Sequence, residues 1–362
     1  MRTHAVLAAL MGFFVTGCTS IGPNSVPRDR FDYNQAISDS WKEQTLLNIV
    51  KLRYADMPLF VEVASIVSGY TLESSVNLGA KVFDGGSAAE FGTANSATIG
   101  GSGKYTDRPT ITYAPITGSN FNKTFMTPIP PSAVLFMIQA GWPAELVLPI
   151  TVDAINGQRA QRSSGLGKRS GEESFYRVVE LFKVLQSGGA MGMRVTKTDS
   201  MQDSTVIVIR QQNVSAEISA AAEELANLLD IRRGASEYTI SFGEVARNDT
   251  ELAMLTRSTL AIMVELASQV RVPAIHVEEG RTMSSLTDGE SADTEQRRLI
   301  DIRSGVERPT DDFVAVKYRE HWFWIDDRDF KSKRVFAYLM LLFSLTESGG
   351  KEGLPLVTIP AG

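Results

Sequence analysis

The densest group of residues able to do chemistry lies near the C-terminal end, where Trp322, Trp324, Asp326, Asp327 and Asp329 stand close together. Carboxylates beside indoles can bind a sugar, with acids on hydroxyls and rings stacked on its apolar face, or ligate a hard cation such as calcium. A glycosidase needs two carboxylates facing each other across a cleft, and adjacent Asp326 and Asp327 point to opposite sides of a strand. The plainer roles are structural: Asp329 caps a helix, its acidic neighbours favour the positive helix N-terminus, and the tryptophans are core and rim.

Other candidates lack a required part. Gly100-Gly101-Ser102-Gly103-Lys104 looks like the end of a phosphate loop, but Thr98 stands where the first glycine belongs and Tyr105 replaces the magnesium-binding hydroxyl. Gly188 to Gly192 follows a helical stretch and precedes a strand, the reverse of a dinucleotide site, and reads as a helix stop. The histidines are His4, His276 and His321, far apart in the chain, and no GxSxG elbow accompanies them. His276 and His321, distant in the chain and with no free thiol beside them, do not make a zinc site. No catalytic residues, cofactor or metal are expected from these patterns.

The single cysteine sits in a different setting. Arg2 precedes an apolar run of eleven residues, Ala5 to Val15, followed by Val15-Thr16-Gly17-Cys18. Such a run is too short for a bilayer, which takes about 20 residues, but it has the length of a signal h-region. Small Thr16 and Gly17 fit a peptidase cleft, and the thiol can accept a thioether-linked lipid. The segment resembles the signal peptide and lipobox of bacterial lipoproteins. That resemblance implies cleavage between Gly17 and Cys18, diacylation of Cys18 and, with Thr19 rather than Asp next, sorting to the outer membrane. Two buried acyl chains, at ~0.8 kcal/mol per methylene, make such an anchor stable where one is marginal.

Composition sets the remaining limits. The 362 residues are 43% apolar and 22% charged, enough to bury one large core or two ordinary ones. Loss of residues 1–17 removes one arginine and no acid, so the charge passes from −6 to −7. An acidic body argues against nucleic acid, whose phosphates need a basic footprint.

Residues 1–17 read as signal peptide, 18–31 as lipidated tether, 32–131 as a helix plus an extended hairpin region, and 132–362 as an α+β periplasmic body. Ile37, Trp41, Leu46, Ile49, Val50 and Leu52 recur at helical spacing until Met57-Pro58. After Gly69, Tyr70, Leu72, Val76, Leu78, Ala80 and Val82 alternate with polar residues, a strand pattern. A turn at Gly85-Gly86 and the small-residue run Gly92 to Gly103 then suggest one long Gly/Ser-rich hairpin spanning 70–114. In texture it resembles the strands that subunits of oligomeric outer-membrane tunnels contribute to a shared barrel.

Helices are expected over 132–141, from a capping box at Ser170 and Glu173 to Gly188, over 215–229, through the periodic stretch 250–270, and over 330–345. Strands are expected at 150–155, 191–196, 205–210, 238–242, in one aromatic run 313–325, and at 354–359. Residues 156–171 and 279–311 read as loops. Helix-strand-strand-helix-strand order over 172–242 indicates an α+β fold with antiparallel or mixed sheets and packed amphipathic helices.

These features lead to an outer-membrane lipoprotein acting as a structural or interaction component of a cell-envelope assembly. It would hold the membrane through Cys18 and meet an envelope protein or further copies of itself. The same residues leave two other readings open: an oligomeric pore or secretion-channel subunit inserting the 70–114 hairpin, and a polysaccharide- or peptidoglycan-binding or -processing protein using Trp322, Trp324, Asp326 and Asp327.

Overall fold

The protein is described from a computed structural model, which covers residues 26–67, 70–81, 96–164, 167–169, 171–197, 203–210, 212–283 and 298–346. The Val15–Cys18 stretch, the Gly85-Gly86 turn, Ser170 and the strand expected at 354–359 lie outside the described residues. The first element is helix α1, Val26–Arg53, 28 residues long. It takes in residues 26–31, which the sequence reading placed in a tether.

The chain divides into two units. The first, Met1–Ser38, Val61–Pro115 and Gly353–Gly362, holds a two-stranded ribbon. Strand β1, Val61–Val67, pairs antiparallel with β4, Thr110–Pro115, with a shift in register between Val63 and Ser65. Strand β2, Tyr70–Lys81, pairs antiparallel with β3, Ser96–Asp107, in unbroken register from Tyr70 opposite Asp107 to Lys81 opposite Ser96.

The second unit, Asp39–Phe60 and Ile116–Glu352, contains the main core. It includes helices α2 (Pro131–Gln139), α3 (Ala144–Thr151) and α4 (Glu173–Ser187). Short strands β5 (Val152–Ile155), β6 (Gln158–Arg159), β7 (Arg162–Ser164) and β8 (Gly167–Arg169) lie between α3 and α4. Three of these occupy the stretch expected as loop, and the strand expected at 150–155 starts only at Val152, because helix α3 runs through Pro149 to Thr151. Helix α4 buries Phe175, Val178, Val179, Phe182 and Leu185, one face of a 3.6-residue period. Its N-cap is Glu172, not Ser170. It ends where Gly189 adopts φ +62°, letting the amides of Gly189 and Ala190 donate to the carbonyls of Gln186 and Leu185 (3.0 Å each).

Strands β9 (Met191–Lys197) and β10 (Asp203–Ile209), helix α5 (Ala216–Leu228), and strands β11 (Glu237–Phe242) and β12 (Glu251–Thr256) complete the larger sheet. Its order is β6-β5-β12-β11-β10-β9. The pairing of β11 with β12 is parallel and the rest antiparallel. Residues 243–250 make the parallel return through bends and a closing turn, without a helix. The periodic stretch 250–270 is therefore not one helix but β12 followed by α6, Thr259–Ser268, with Ser258 as N-cap accepting from the amide of Ala261 at 3.2 Å.

Helix α7, Ala274–Glu278, leads to a second sheet of order β13-β15-β14, built from Arg303–Gly305, Asp312–Tyr318 and His321–Asp326. Two expectations change here. The aromatic run 313–325 is a hairpin, turning at Arg319-Glu320 with φ +46° and +65°. Part of the expected loop 279–311 is core: Ile300 and Ile302 are buried and Arg303–Gly305 pairs with β15. Helix α8, Phe330–Thr346, buries Phe336, Leu339 and Phe343. Phe343 meets Trp41 and Phe60 at ring-centroid distances of 6.4 and 5.9 Å. The result is the α+β class, with antiparallel and mixed sheets carrying amphipathic helices.

Candidate functional site

The alternation of β15 sends Phe323 and Ile325 into the core and puts Trp322 and Trp324 on the opposite face. Trp322 pairs with Gly305 and Lys317, and Trp324 with Arg303 and Ala315. Arg308 lies 5.1 Å from the Trp322 ring centre. Asp326 accepts Arg303 Nη1 at 2.8 Å and the amide of Arg328 at 2.9 Å. The amide, together with Arg303 and Arg328, holds the Asp326 carboxyl below the usual carboxylate range, opposite to the shift a glycosidase general acid needs. Asp327 accepts Lys333 Nζ at 2.6 Å, and Asp329 caps α8 through the Ser332 amide at 3.1 Å. These carboxylates bind side chains and backbone of their own neighbourhood.

The structure brings together two histidines that the sequence separates. His276, 2% exposed on α7, shares a 2.6 Å hydrogen bond between its Nδ1 and the hydroxyl of Tyr54. The His321 ring stands 4.7 Å away, edge to face, and its Nδ1 donates to the carbonyl of Arg319 at 3.2 Å. The Tyr318 ring lies 5.3 Å from Tyr54, tilted by 57°, and its hydroxyl donates to Asp56, which also pairs with Arg319 at 3.3 Å. Burial pushes the Tyr54 phenol up to about 12 against the pull of Arg319, Arg53 and Arg281, so it remains a donor. Burial, and then the nearby His321, Arg281 and Arg319, push His276 below its ordinary value. Around neutral pH this is a neutral imidazole locked between aromatic rings.

A third concentration of polar groups surrounds Arg257, only 5% exposed. Its guanidinium donates to the carbonyls of Pro149 (3.1 Å), Ile150 (3.4 Å) and Gln161, and stands 3.6 Å from the carboxylate of Asp153. Asp153 also accepts Arg162 at 3.1 Å, and Glu265 accepts Gln161 at 3.4 Å. Arg257 and Glu265 line a cavity of about 430 Å³ with Gln161, Tyr176, Gln269 and Arg298. Buried charges survive where they are paired, and here the pairing is local to the chain.

The ribbon is the fourth feature. Among the described residues neither β2 nor β3 has a second ladder partner, so each presents outward-facing backbone groups. Gly100 to Lys104 lies inside β3, and the next element is β4 rather than a helix, so no helix N-terminus is there to receive a phosphate. Among the described residues no three His, Cys, Asp or Glu side chains are grouped to hold a metal ion, and no helix is long and apolar enough to cross a membrane. Cys18 and Gly17 lie outside the described residues.

The sequence missed the histidine cluster and the Arg257 network. Nothing local marks either, apart from Glu265 and Gln269 interrupting an otherwise apolar stretch. No protein-family model, curated protein or solved structure matches this chain.

Proposed function

We propose that this chain is a lipoprotein held in the outer membrane by a lipid on Cys18, and that it serves as a structural or interaction component of a cell-envelope assembly. The observation that carries the reading is the short apolar run closed by Val15-Thr16-Gly17-Cys18, with the only cysteine of the chain at the lipid-accepting position. The open edges of the ribbon suit such a role, because unpaired strand edges are where sheets meet partners. The acids near Trp322 and Trp324 lend less support to glycan chemistry, since Asp326 and Asp327 are engaged by Arg303 and Lys333.

The test is intact-mass spectrometry of the purified protein combined with fractionation of cells carrying the wild type or Cys18→Ser. The expected result is a diacylated N-terminal cysteine in the membrane fraction and loss of membrane association in the variant. An unmodified thiol, or a serine variant equally membrane-bound, overturns the reading.

A further inference from the structure

In an antiparallel pair each strand spends every second set of N–H and C=O groups on its partner, and the alternate set faces outward. Proteins usually guard such edges with charge, proline, bulges or brevity. The ladder of β2 with β3 has none of these over its central part: Ser74 to Ala80 opposite Ala97 to Gly103 contains no charged residue and no proline, and the register does not shift.

The glycines add a second observation. A Cβ on Gly100, Gly101 or Gly103 would meet nothing within 4 Å, so no contact among the described residues requires glycine there. Glycine inside a strand costs roughly 0.5–1 kcal/mol relative to alanine and marks places where another backbone comes close.

We propose that the ribbon joins copies of this chain, the outer edge of β2 in one copy pairing with the outer edge of β3 in the next until the series closes into a ring. A second copy fits better than a foreign strand, because one added strand fills one edge and leaves the other open. Unlike-edge pairing between identical chains fills both edges of every copy, and closure removes the last one. Charge supports the same arrangement. Glu73 on β2 faces Lys104 on β3 within the ribbon, and pairing unlike arms across copies sets the same acid and base against each other again. Twelve residues per arm reach about 40 Å, more than the 9–11 residues a tilted strand uses to cross a hydrocarbon layer. The inference rests on the anchored reading for its location at a membrane, not for the pairing itself.

The experiment uses full-length chains carrying single added cysteines at exposed ribbon positions, differently tagged and co-expressed in pairs. Asn77→Cys or Ser75→Cys marks β2, and Gly100→Cys or Ser102→Cys marks β3. After oxidation in isolated membranes, the expected products are disulfides joining a β2 variant to a β3 variant, assigned by peptide mapping. Mass photometry of the detergent-solubilised wild type is expected to give a multiple above two of the mass that the intact-mass spectrum assigns to the single chain. Disulfides joining only like arms would mean a two-fold dimer and overturn the ring. A monomer without inter-copy disulfides overturns it equally, provided the circular dichroism melt of each variant matches the wild type. The N-terminal mass of the same samples separates the two ideas. A missing lipid with unlike-arm disulfides present removes the anchor and keeps the ring, whereas a lipidated Cys18 without inter-copy disulfides does the reverse.

Discussion

At the scale of single residues, His276 is a group whose protonation the fold opposes. Its folded-state value lies below 6.5, so its contribution to stability is complete above about pH 6.5 and is lost as pH falls through the folded value. The groups around it are Tyr54, His321, Arg281, Glu279 and Arg319, more basic than acidic. We therefore expect the thermal unfolding midpoint to drop between pH 7 and 5, and His276→Gln to flatten that slope while lowering the midpoint at pH 7. Fluorimetric melts across the pH series measure both, and an unchanged slope in the variant would remove the assignment.

At the scale of elements, Arg257 is a fastener. It stands just before α6, donates to the last carbonyls of α3 and to Gln161 ahead of β7, and offsets the charge of Asp153 in β5. Replacement by methionine leaves Asp153 with Arg162 as its ionic partner and strips those carbonyls of a donor. Urea denaturation should show a loss of about 3–5 kcal/mol, the scale for breaking a buried pair. Asp153→Asn in the Arg257→Met background should cost less than the sum of the two single changes, since the stranded charge is then gone.

How far the elements could be read from sequence depends on which local signal was available. The face of α8 follows from Phe336, Leu339, Met340 and Phe343, and the helix beginning at Ser215 and the β9 and β10 strands from their own neighbours. The hairpin of β14 and β15 was hidden because both turn residues take positive φ while being Arg and Glu, where Asn and Gly are the usual markers. Leu252, Leu255 and Thr259 fit a helical period although a strand ends between them. Ser258, a good N-cap, was the clue that a helix starts there. The histidine cluster joins Tyr54, His276 and His321 through tertiary packing, which no window of sequence contains.

At the scale of the whole molecule, the two units differ in how they are built. The first contributes paired strands, whereas the second carries the extended core of two sheets and their helices. Phe60 and Ile116, which flank the ribbon in the chain, are joined by a 2.9 Å hydrogen bond from the amide of Ile116 to the carbonyl of Phe60. Adjacent attachment points make a segment removable at small entropic cost. Replacing Val61–Pro115 by a short Gly/Ser linker should thus leave the second unit folded, with a melting midpoint within a few degrees of the parent. Loss of cooperative unfolding would show instead that the ribbon is integral to that core.

The order of strands in the larger sheet also bears on how the chain is made. Strand β5 is buried at every position, and its neighbour β12 follows about a hundred residues later, while β9, β10 and β11 pair with near neighbours in sequence. A ribosome therefore delivers Val152 to Ile155 well before the segment that will cover it. During synthesis that strand waits with an apolar edge unclaimed, and it is there that a nascent chain of this protein would most need a chaperone's protection.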